Sequence, residues 1–509
     1  MELPLSFINY TKTLLGADEY QRLSTALEEE QPVSIRLNKK KAESLFPSIR
    51  TSCSQVPWCD NGFYLDHRLT FTFDPLFHAG CYYVQEASSM FVGCALLQYI
   101  GKQQITLLDL CAAPGGKSTL VRDLLSADSL LVANEVVRSR AYVLAENLIK
   151  WGNANVVVTN NNPIDFSKLP DFFDVILADV PCSGEGMFRK DQVAISEWSP
   201  ENVENCWLRQ RRIIEDVWSS LKPEGLLLYS TCTYNTKENE ENIQWICREL
   251  GAEVLPVDIP TEWQVTGNLL AGTDFPVYRF FPYLTKGEGF FLAVLRKVAE
   301  TDDSEVMQYE GQEAKNNEKE GDKSNNYLNA SRANPGKGKS FRTAETRQSK
   351  NALPTINKEQ WGIVKSWINS PDDYEWLVLD NSIRAFPKAN MERFGALQAC
   401  MHLVHSGIAV AEYKGKDVIP SHALAMSTAL NPQAFICTEI TYAQAISFLR
   451  KEAIVLPSDI PLGYILLTYR TLPIGFVKNI GNRANNLYPQ EWKIKSGYLP
   501  DNLRIIEEI

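Results

Sequence analysis

Short apolar runs alternate with amphipathic stretches from residue 105 onwards, and this pattern predicts a parallel sheet wrapped by helices. The runs are ITLLDL (105–110), SLLVANEV (129–136), NVVVTN (155–160), FDVILADV (173–180), GLLLYSTC (225–232) and, as an edge hairpin strand, FFLAVLR (290–296). Between the first three runs, KSTLVRDLLS and RSRAYVLAENLIKWG have helical periodicity, and Gly152 suits the C-cap of the second helix. Asn235 and Glu238 resemble a capping pair that opens the helix after the fifth run. The predicted fold class is α/β.

One segment, residues 299–352, is almost free of large apolar side chains and rich in Glu, Asn, Lys, Ser and Gly. Such a composition does not bury enough surface to offset its ordering entropy, so we interpret the segment as a flexible linker. Its first half is acidic and its second half is basic, so the basic half is a candidate for transient contact with an RNA backbone. In the C-terminal part that follows, residues 442–450 read as a helix between the β-like runs FICTEI and YILLTYR.

The 509 residues carry 51 basic and 62 acidic side chains, and a net charge of −11 argues against a protein that coats nucleic acid by charge alone. No apolar stretch is long enough for a transmembrane helix, and the N-terminus lacks the features of a secretory signal. The 11 cysteines form no CxxC pair, so we expect no disulfide framework, no zinc site and a reducing cytoplasm. His402 and His405 are the only closely spaced histidines, and they fit an ordinary helix face.

Polar and thiol side chains follow the predicted strands where each one ends, and in a parallel sheet these ends share one edge. The loop from Cys111 to Ser118 consists mostly of small residues, which let a ligand approach the backbone closely. It matches only the tail of a P-loop, because Cys111 stands in place of the first glycine, and a dinucleotide GxGxxG fingerprint is absent. S-adenosylmethionine is the remaining ligand class, and Glu135 suits its two ribose hydroxyls. The alternative is a tight turn beside an exposed glutamate.

Two cysteines stand at the ends of neighbouring strands, Cys182 after the fourth run and Cys232 after the fifth. A single cysteine is usually a small buried apolar residue, and we expect this of most of the others. Beside a methyl donor, a thiol pair indicates methylation at carbon 5 of a pyrimidine, because a thiolate that adds to carbon 6 activates carbon 5. Adenine-amino methyltransferases instead carry an aromatic residue where Cys182 stands.

These residues lie in longer motifs, by which the chain resembles the Sun/Nop-type RNA cytosine-5 methyltransferase family, especially its bacterial small-subunit ribosomal RNA methyltransferase F branch. The motifs are LDLCAAPGGKS, NEVVRSRAYVLAEN, FDVILADVPCSGEGMFRKD, EWSPENV, YSTCTYNTKENEENI and GEGFFLAVLR. Outside this region, SIRLN (34–38) and YYVQEASSM (82–90) resemble the family's N-terminal RNA-facing segment. LPIGFVKNIGNRANNLYP (472–489) resembles the PUA-like domain of this branch.

The resemblance implies a Rossmann-like S-adenosylmethionine-dependent methyltransferase core with an N-terminal α+β RNA-binding segment and a C-terminal PUA-like β-rich domain. The expected boundaries are 1–92 for the RNA-binding segment, 93–298 for the core, 299–352 for the linker, 353–425 for a small domain and 426–509 for the PUA-like domain. The implied reaction is methylation of carbon 5 of a cytosine in RNA, with small-subunit ribosomal RNA or the 30S subunit as the partner. We expect a cytoplasmic monomer without a metal or a membrane partner.

The resemblance also assigns roles position by position. Cys232 matches the thiol that attacks carbon 6 and Cys182 matches the second thiol, which assists product release, whereas DNA cytosine methyltransferases attack with the Pro-Cys thiol. Asp179 matches a residue at the cofactor and base that bonds the cytosine edge. The implied cofactor-binding residues are Cys111, Ala112, Ala113, Pro114, Gly115, Gly116, Lys117, Glu135, Asn162 and Asp179.

Two positions depart from the family pattern. Val180 stands where the Asp-Ala-Pro-Cys motif often has alanine, which is a small steric change. More seriously, the family usually presents an acid to the adenine where this chain has Asn162. The amide carbonyl of Asn162 can accept a hydrogen bond from the adenine amine, and Asn161 is the alternative.

The same resemblance gives candidate RNA contacts, because unpaired bases stack on aromatic rings and RNA backbones bind Lys and Arg. The candidates are Arg36, Asn38, Lys190, Lys478, Asn479, Arg483, Asn486 and Tyr488. Packing or a surface salt bridge is the alternative for Arg36 and Tyr488. A rival function is a ribosome-assembly factor without methyl transfer, which the intact thiols and glycine loop disfavour. The thiol pair also disfavours a protein substrate, and only the branch-level likeness excludes transfer RNA.

Overall fold

A computed structural model describes residues 2–299, 356–379, 381–414 and 417–509. Residues 300–352 of the predicted linker lie outside the described residues. The first elements are α1 (Leu5–Leu15), α2 (Ala17–Glu28), β1 (Val33–Leu37), α3 (Phe46–Ser52), β2 (Ser54–Gln55), β3 (Gly62–Leu65), α4 (Pro75–His78) and β4 (Tyr82–Val84). Their strands form a four-stranded antiparallel sheet in the order β2-β3-β1-β4.

The second group of elements builds the predicted parallel sheet. It comprises α5 (Phe91–Ile100), β5 (Thr106–Asp109), α6 (Gly116–Leu124), β6 (Leu130–Asn134), α7 (Arg138–Trp151), β7 (Val156–Thr159), β8 (Phe173–Asp179), α8 (Gln192–Glu197), α9 (Pro200–Trp218), β9 (Leu221–Thr231), α10 (Glu240–Leu250), β10 (Ala252–Leu255), β11 (Tyr278–Phe280) and β12 (Phe290–Lys297). Each of the six predicted runs contains a strand. β5 to β9 run parallel to one another, and β12 runs antiparallel to β9.

Two expectations about this region were wrong in detail. The strand β12 does not form the edge, because β10 pairs with its outer side and β11 pairs with it as well. Asn235 and Glu238 do bond each other, but α10 begins only at Glu240. Both side chains are instead used inside the site described below. By contrast, α7 ends at Gly152, whose φ of +96° is the left-handed C-cap conformation that the sequence predicts.

The remaining elements follow residue 355. They are α11 (Lys358–Ser366), β13 (Tyr374–Leu379), β14 (Ser382–Pro387), α12 (Met391–Cys400), β15 (Leu403–Ser406), β16 (Ile408–Lys414), β17 (Asp417–Pro420), α13 (His422–Met426), β18 (Ile436–Glu439), α14 (Tyr442–Leu449), β19 (Gly463–Tyr469), β20 (Leu472–Asn479) and β21 (Ala484–Asn486). They form two four-stranded sheets, ordered β13-β14-β16-β17 and β18-β19-β20-β21. The predicted helix between β18 and β19 is present as α14.

The strand β15 leaves its neighbours in sequence and pairs antiparallel with β7, which extends the central sheet to nine strands in the described residues. His405 therefore lies on a strand, and the helix face expected for His402 and His405 was wrong. Residues Met1–Val298 and Ile356–Ile509 belong to one compact unit. The sequence carries no signal for this pairing, because a four-residue run does not indicate its partner.

The central sheet is buried on both faces, as expected for parallel strands. Successive residues of β5 alternate between two hydrophobic cores: Leu107 packs in a core with α5, α6 and α7, whereas Leu108 packs in one with α9, α10 and α12. The strands are therefore rigidly held, and their carboxyl ends form a fixed edge for a site. Within the described residues, the helices are too short or too polar to cross a membrane.

Candidate active site

The carboxyl ends of β5, β8 and β9 lie side by side, and a cavity of about 300 Å³ opens at this edge of the sheet. The predicted site residues that line it are Cys111, Ala112, Ala113, Pro114, Gly116, Lys117, Asp179, Lys190 and Cys232. The structure thus brings together the loop after β5, the acid at the end of β8 and one thiol. Of the other predicted residues, Gly115 lies within the loop, Cys182 adjoins Cys232, and Glu135 and Asn162 follow β6 and β7.

The loop after β5 is shaped by its small residues. Gly115 has φ of +115°, a left-handed conformation that favours glycine, and α6 begins directly after it. A Cβ on Gly116 would lie 3.3 Å from the ring of Tyr83, so a larger residue would crowd the cavity wall. The N–H of Ala112 donates to the carbonyl of Asn134 at 2.8 Å, which ties the loop to the end of β6. The arrangement aims the N-terminus of α6 at the cavity edge, where an anionic group is favoured.

Asp109, the last residue of β5, is fully buried beneath this loop. Its Oδ2 accepts a hydrogen bond from Ser118 Oγ at 2.6 Å, whereas Oδ1 has no partner. Burial raises the pKa of Asp109 to about 7. The hydrogen bond from Ser118 acts to lower this pKa, whereas the charge of Asp179 raises it further. A buried carboxyl oxygen without a partner, at the wall of a cavity, needs a donor from a ligand. The sequence reasoning gave Asp109 no role, and its only signal was an acid that closes an apolar run.

Asp179 lies at the end of β8 and is held by two donors. Lys117 Nζ donates to Oδ2 at 2.9 Å and Ser230 Oγ donates to Oδ1 at 2.8 Å. Burial acts to lower the pKa of Lys117, but the charge of Asp179 and their hydrogen bond outweigh it, so the pKa is raised. The ammonium group therefore stays charged inside the cavity and fixes the carboxylate beside the thiol.

The two predicted thiols are neighbours in space. Cys182 Sγ lies 3.1 Å from Cys232 Sγ, and the N–H of Cys232 donates to Cys182 Sγ at 3.3 Å. The hydrogen bond to Cys232 and burial together raise the pKa of Cys182 well above its usual range. All 11 cysteines are free thiols in the structure.

Comparison with known proteins places this site in a family. A family model described as 16S rRNA methyltransferase RsmB/F matches residues 96–296, one for the N-terminal domain of RsmF matches 3–87, and one for the RsmF PUA domain matches 435–494. Ribosomal RNA small subunit methyltransferase F of Aliivibrio fischeri (strain MJ11) is 32% identical over 448 residues, covering 86% of this chain and 85% of that protein. The chain belongs to this methyltransferase F family. It is an S-adenosylmethionine-dependent methyltransferase, and the predicted family and fold class are confirmed.

Further relatives agree with this assignment. The protein of the same name from Cronobacter sakazakii (strain ATCC BAA-894) is 31% identical, covering 86% of this chain and 84% of that protein. Among solved structures, a methyltransferase homolog from Pyrococcus horikoshii is 30% identical with a TM-score of 0.50, covering 58% of this chain and 95% of that chain. NSun6 from Pyrococcus horikoshii with SFG has a TM-score of 0.50 at 22% identity, covers 58% of this chain and 99% of that chain, and shows the fold alone.

In this methyltransferase, Glu135 and Asn162 do not line the cavity but follow β6 and β7, the next two strands of the sheet. Glu135 is buried, accepts the N–H of Val137 at 2.8 Å and lies 3.4 Å from the guanidinium of Arg140. Asn162 is exposed, and its N–H donates to Asp165 Oδ2 at 3.2 Å. Asn162 therefore has solvent access, and its side chain also forms a capping box with Asp165 at the start of the short helix 163–168.

Both polar atoms of the Asn161 side-chain amide, the alternative to Asn162, form hydrogen bonds within the protein. Its Oδ1 accepts the N–H of His402 at 3.0 Å and its Nδ2 donates to Asp165 Oδ2 at 3.3 Å. The carbonyl of His402 in turn accepts the N–H of Asn160 at 3.0 Å. The residue that precedes β15 thus braces the loop after β7, which the sequence did not predict.

The structure corrects four of the RNA-contact candidates because they are buried, and two of these, Arg36 and Tyr488, are fully buried. Arg36 on β1 is fully covered by α6 and donates to Gln85 Oε1 at 2.8 Å and to Asp123 Oδ2 at 3.1 Å. Tyr488 is fully buried, and its hydroxyl lies 3.5 Å from His78 Nδ1. Both residues join segments of the protein, in line with the packing alternative.

The other candidates differ in exposure. Asn38 and Asn479 are buried and bond backbone carbonyls, so they too are structural. Lys190 is exposed at the cavity mouth and Arg483 is exposed beside β21. Lys478 and Asn486 are half-buried. No group of three or more metal-ligating side chains occurs in the part of the chain that the structure describes.

Proposed function

We propose that the protein transfers a methyl group from S-adenosylmethionine to carbon 5 of a cytosine in small-subunit ribosomal RNA, with Cys232 as the nucleophile. The observation that carries this proposal is the pair of thiols 3.1 Å apart, of which Cys232 lines the cavity. Carbon 5 of cytosine is too weak a nucleophile to take a methyl group unaided, and a thiolate added at carbon 6 activates it.

The residues at the cavity fit S-adenosylmethionine. Asp109 Oδ1 lacks a partner and would receive one from the ammonium of the methionine moiety. The N-terminus of α6 suits its carboxylate, and Glu135, which follows β6, stays the candidate for the ribose hydroxyls. When bound, this cofactor supplies an electrophilic methyl group.

The remaining steps of the reaction depend on residues of the protein. Cys232 Sγ forms a bond to carbon 6 of the cytosine, and carbon 5 then takes the methyl group. Loss of the proton at carbon 5 to solvent and cleavage of the sulfur–carbon bond, whose electron pair leaves with the sulfur, restore the aromatic ring and release Cys232 as the thiolate. Cys182 is the second thiol, 3.1 Å from the nucleophile, and its proposed role is to assist release of the product. Lys117 and Asp179 present a charged donor and an acceptor to the edge of the base.

The RNA must deliver an unstacked base, because the sheet edge does not reach into a duplex. Lys190, Lys478 and Arg483 remain the candidate contacts to the phosphate backbone, since each has solvent access. Because ribosomal RNA is the proposed substrate, we expect the protein to act in the cytoplasm, on ribosomal RNA or on the 30S subunit. We also expect it to be a monomer.

The experiment is transfer of a labelled methyl group from S-adenosylmethionine to purified ribosomal RNA and to 30S subunits, with analysis for 5-methylcytidine. Wild type should form it, Cys232→Ala should not, and Cys182→Ala should retain a covalent RNA adduct. Cys437→Ala is the matched control, because this thiol is exposed and far along the chain from the site.

Each other outcome is informative. An inactive, adduct-free Cys182→Ala together with an adduct in Cys232→Ala would reverse the roles of the thiols. Absence of 5-methylcytidine on both substrates would contradict the proposal and favour transfer RNA or an assembly role.

A further inference from the structure

Two buried glutamates cross between the loops that carry the thiols. The Cys182 loop comprises residues 181–186 and the Cys232 loop comprises residues 232–235. Glu185 belongs to the first loop, but its Oε2 accepts the backbone N–H groups of Tyr234 at 2.8 Å and Asn235 at 2.9 Å in the second. The Cys182 loop therefore holds the backbone of the Cys232 loop through one carboxylate.

The reverse connection is made by Glu238, which follows the Cys232 loop in sequence. Its Oε2 accepts the N–H of Ser183, next to Cys182, at 3.0 Å and the side-chain amide of Gln210 at 2.7 Å. Its Oε1 accepts from Asn235 Nδ2 at 2.8 Å. Asn235 Nδ2 also lies 3.1 Å from Glu185 Oε1, so one amide group joins both carboxylates.

Both carboxylates are fully shielded from solvent. Burial of two acids so close together is costly, and it persists only where hydrogen bonds hold each oxygen. Neither glutamate lines the cavity. Apolar residues of similar size at these two positions would stabilise the fold as well as the glutamates do. The buried carboxylates therefore indicate a role in positioning the two loops.

We propose that Glu185 and Glu238 are positioning residues of the methyl transfer, each holding the backbone of the opposite thiol loop so that both sulfur atoms reach the same base. The inference rests on the proposed function, since it assigns the thiol pair to one substrate. A displacement of the nucleophile of about 1 Å is enough to lower a rate on the order of 100-fold.

The geometry has an electrostatic consequence. After the hydrogen bond to Cys232 and burial, the charge of Glu238 contributes to the raised pKa of Cys182. Burial and the charge of Glu185 raise the pKa of Glu238 itself to about 7, so its charge develops at and above that pH. The two largest causes of the raised pKa of Cys182, the hydrogen bond between the thiols and burial, depend on how the loops are held, so both loosening of the loops and loss of the Glu238 charge should lower the pKa of Cys182.

The first test compares methyl-transfer kinetics of wild type, Glu185→Gln, Glu238→Gln and the control Glu241→Gln. Glu241 lies in the first turn of α10 and is half-buried, so its replacement removes a charge from the same segment. We expect kcat to fall about tenfold or more in the first two variants, with the KM for S-adenosylmethionine unchanged. A kcat within about twofold of wild type in both variants would overturn the proposal.

The second test needs no RNA. The ligand-free protein is alkylated with iodoacetamide over a range of pH, and modification of Cys182 and Cys232 is followed by peptide mass spectrometry. The midpoint for Cys182 should move to lower pH in Glu238→Gln and stay unchanged in Glu241→Gln. An unchanged midpoint in Glu238→Gln would overturn the role of Glu238. If wild type forms no 5-methylcytidine, the proposed function is wrong, but the alkylation midpoints still test the effect of Glu238 on Cys182.

Thermal unfolding establishes that each variant is folded. If Glu238→Gln does not fold, Thr233→Val replaces it, because its hydroxyl lies 2.9 Å from Ser183 Oγ and bridges the same two loops. This near-isosteric change should lower kcat severalfold in the same manner. Wild-type kcat in Thr233→Val would then overturn the proposal.

Discussion

Lys117 Nζ lies 2.9 Å from Asp179 Oδ2, and this ion pair joins the first turn of α6 to the end of β8 beside Cys232. Lys117→Met should leave Asp179 without its charged partner and should remove a donor from the base edge. We expect a loss in kcat/KM on the order of 100-fold, measured by initial rates of methyl transfer. Lys168→Met removes an exposed ion pair with Asp165 and serves as the control. Equal rates for both variants would contradict a role for Lys117 in the reaction.

The pKa of Asp109, about 7 against an ordinary value of 3.8, makes stability depend on pH. An acid with a raised pKa keeps a proton in the folded state that the unfolded chain has lost, so the free energy of unfolding falls as pH rises from about 4 to about 7. Asp109→Asn should therefore be stabilised relative to wild type at pH 8 and not at pH 4. Urea unfolding at both pH values measures this difference.

The control for this prediction is Asp128→Asn, which changes an exposed acid. Its difference from wild type should be independent of pH. A difference for Asp109→Asn that is equally independent of pH would show that this carboxyl is charged throughout, contrary to expectation.

The contact between Asn161 Oδ1 and the N–H of His402, at 3.0 Å, predicts that the C-terminal part of the chain supports cofactor binding. Asn161→Ala should release the loop after β7 from β15. We expect about a three- to tenfold rise in the Kd for S-adenosylmethionine, with kcat unchanged at saturation. Calorimetric titration measures the Kd. Ser167→Ala, an exposed change in the turn that follows this loop, should bind as wild type does, and the same result for Asn161→Ala would refute the brace.

The buried position of Arg36 predicts a loss of stability on its removal. Arg36→Met leaves Asp123 buried without its cation, which costs about 3–5 kcal/mol of unfolding free energy. Arg50→Met, on the exposed face of α3, should stay within about 0.5 kcal/mol of wild type. Denaturant unfolding distinguishes the two. A stable Arg36→Met with weakened RNA binding would restore the RNA-contact interpretation.

Arg483 and Tyr488 should respond in opposite ways although they are near neighbours in sequence. Arg483→Ala should keep wild-type stability and reduce the salt dependence of RNA binding by about one unit of slope, because one phosphate contact is lost. Tyr488→Ala should instead destabilise the protein by about 3–5 kcal/mol through the loss of a buried ring. Filter binding at several salt concentrations, together with denaturant unfolding, tests both. An unchanged slope for Arg483→Ala would exclude that residue from the RNA interface.

Sequence reasoning predicted well where a feature depends on neighbouring residues. The apolar runs of β5 to β9 predict strands from adjacent residues alone. Gly152 ends α7 because the left-handed C-cap conformation favours glycine at that position. It failed where partners are distant in the chain. Arg36 and Tyr488 look like surface residues of an RNA-binding motif, and only packing against α6 and His78 shows that they are interior.

The sequence by itself determined the fold class, the family and the candidate residues of the reaction, because strand periodicity and the motifs around Cys182 and Cys232 are contiguous in the chain. Only the tertiary structure decided that these thiols lie 3.1 Å apart, that Asp109 has an unpartnered oxygen and that Glu185 and Glu238 cross between loops. The physical reason is that burial, pKa shifts and hydrogen-bond partnership depend on groups brought together by folding. The sequence shows which residues are present, but it does not show which of them are buried in contact with one another.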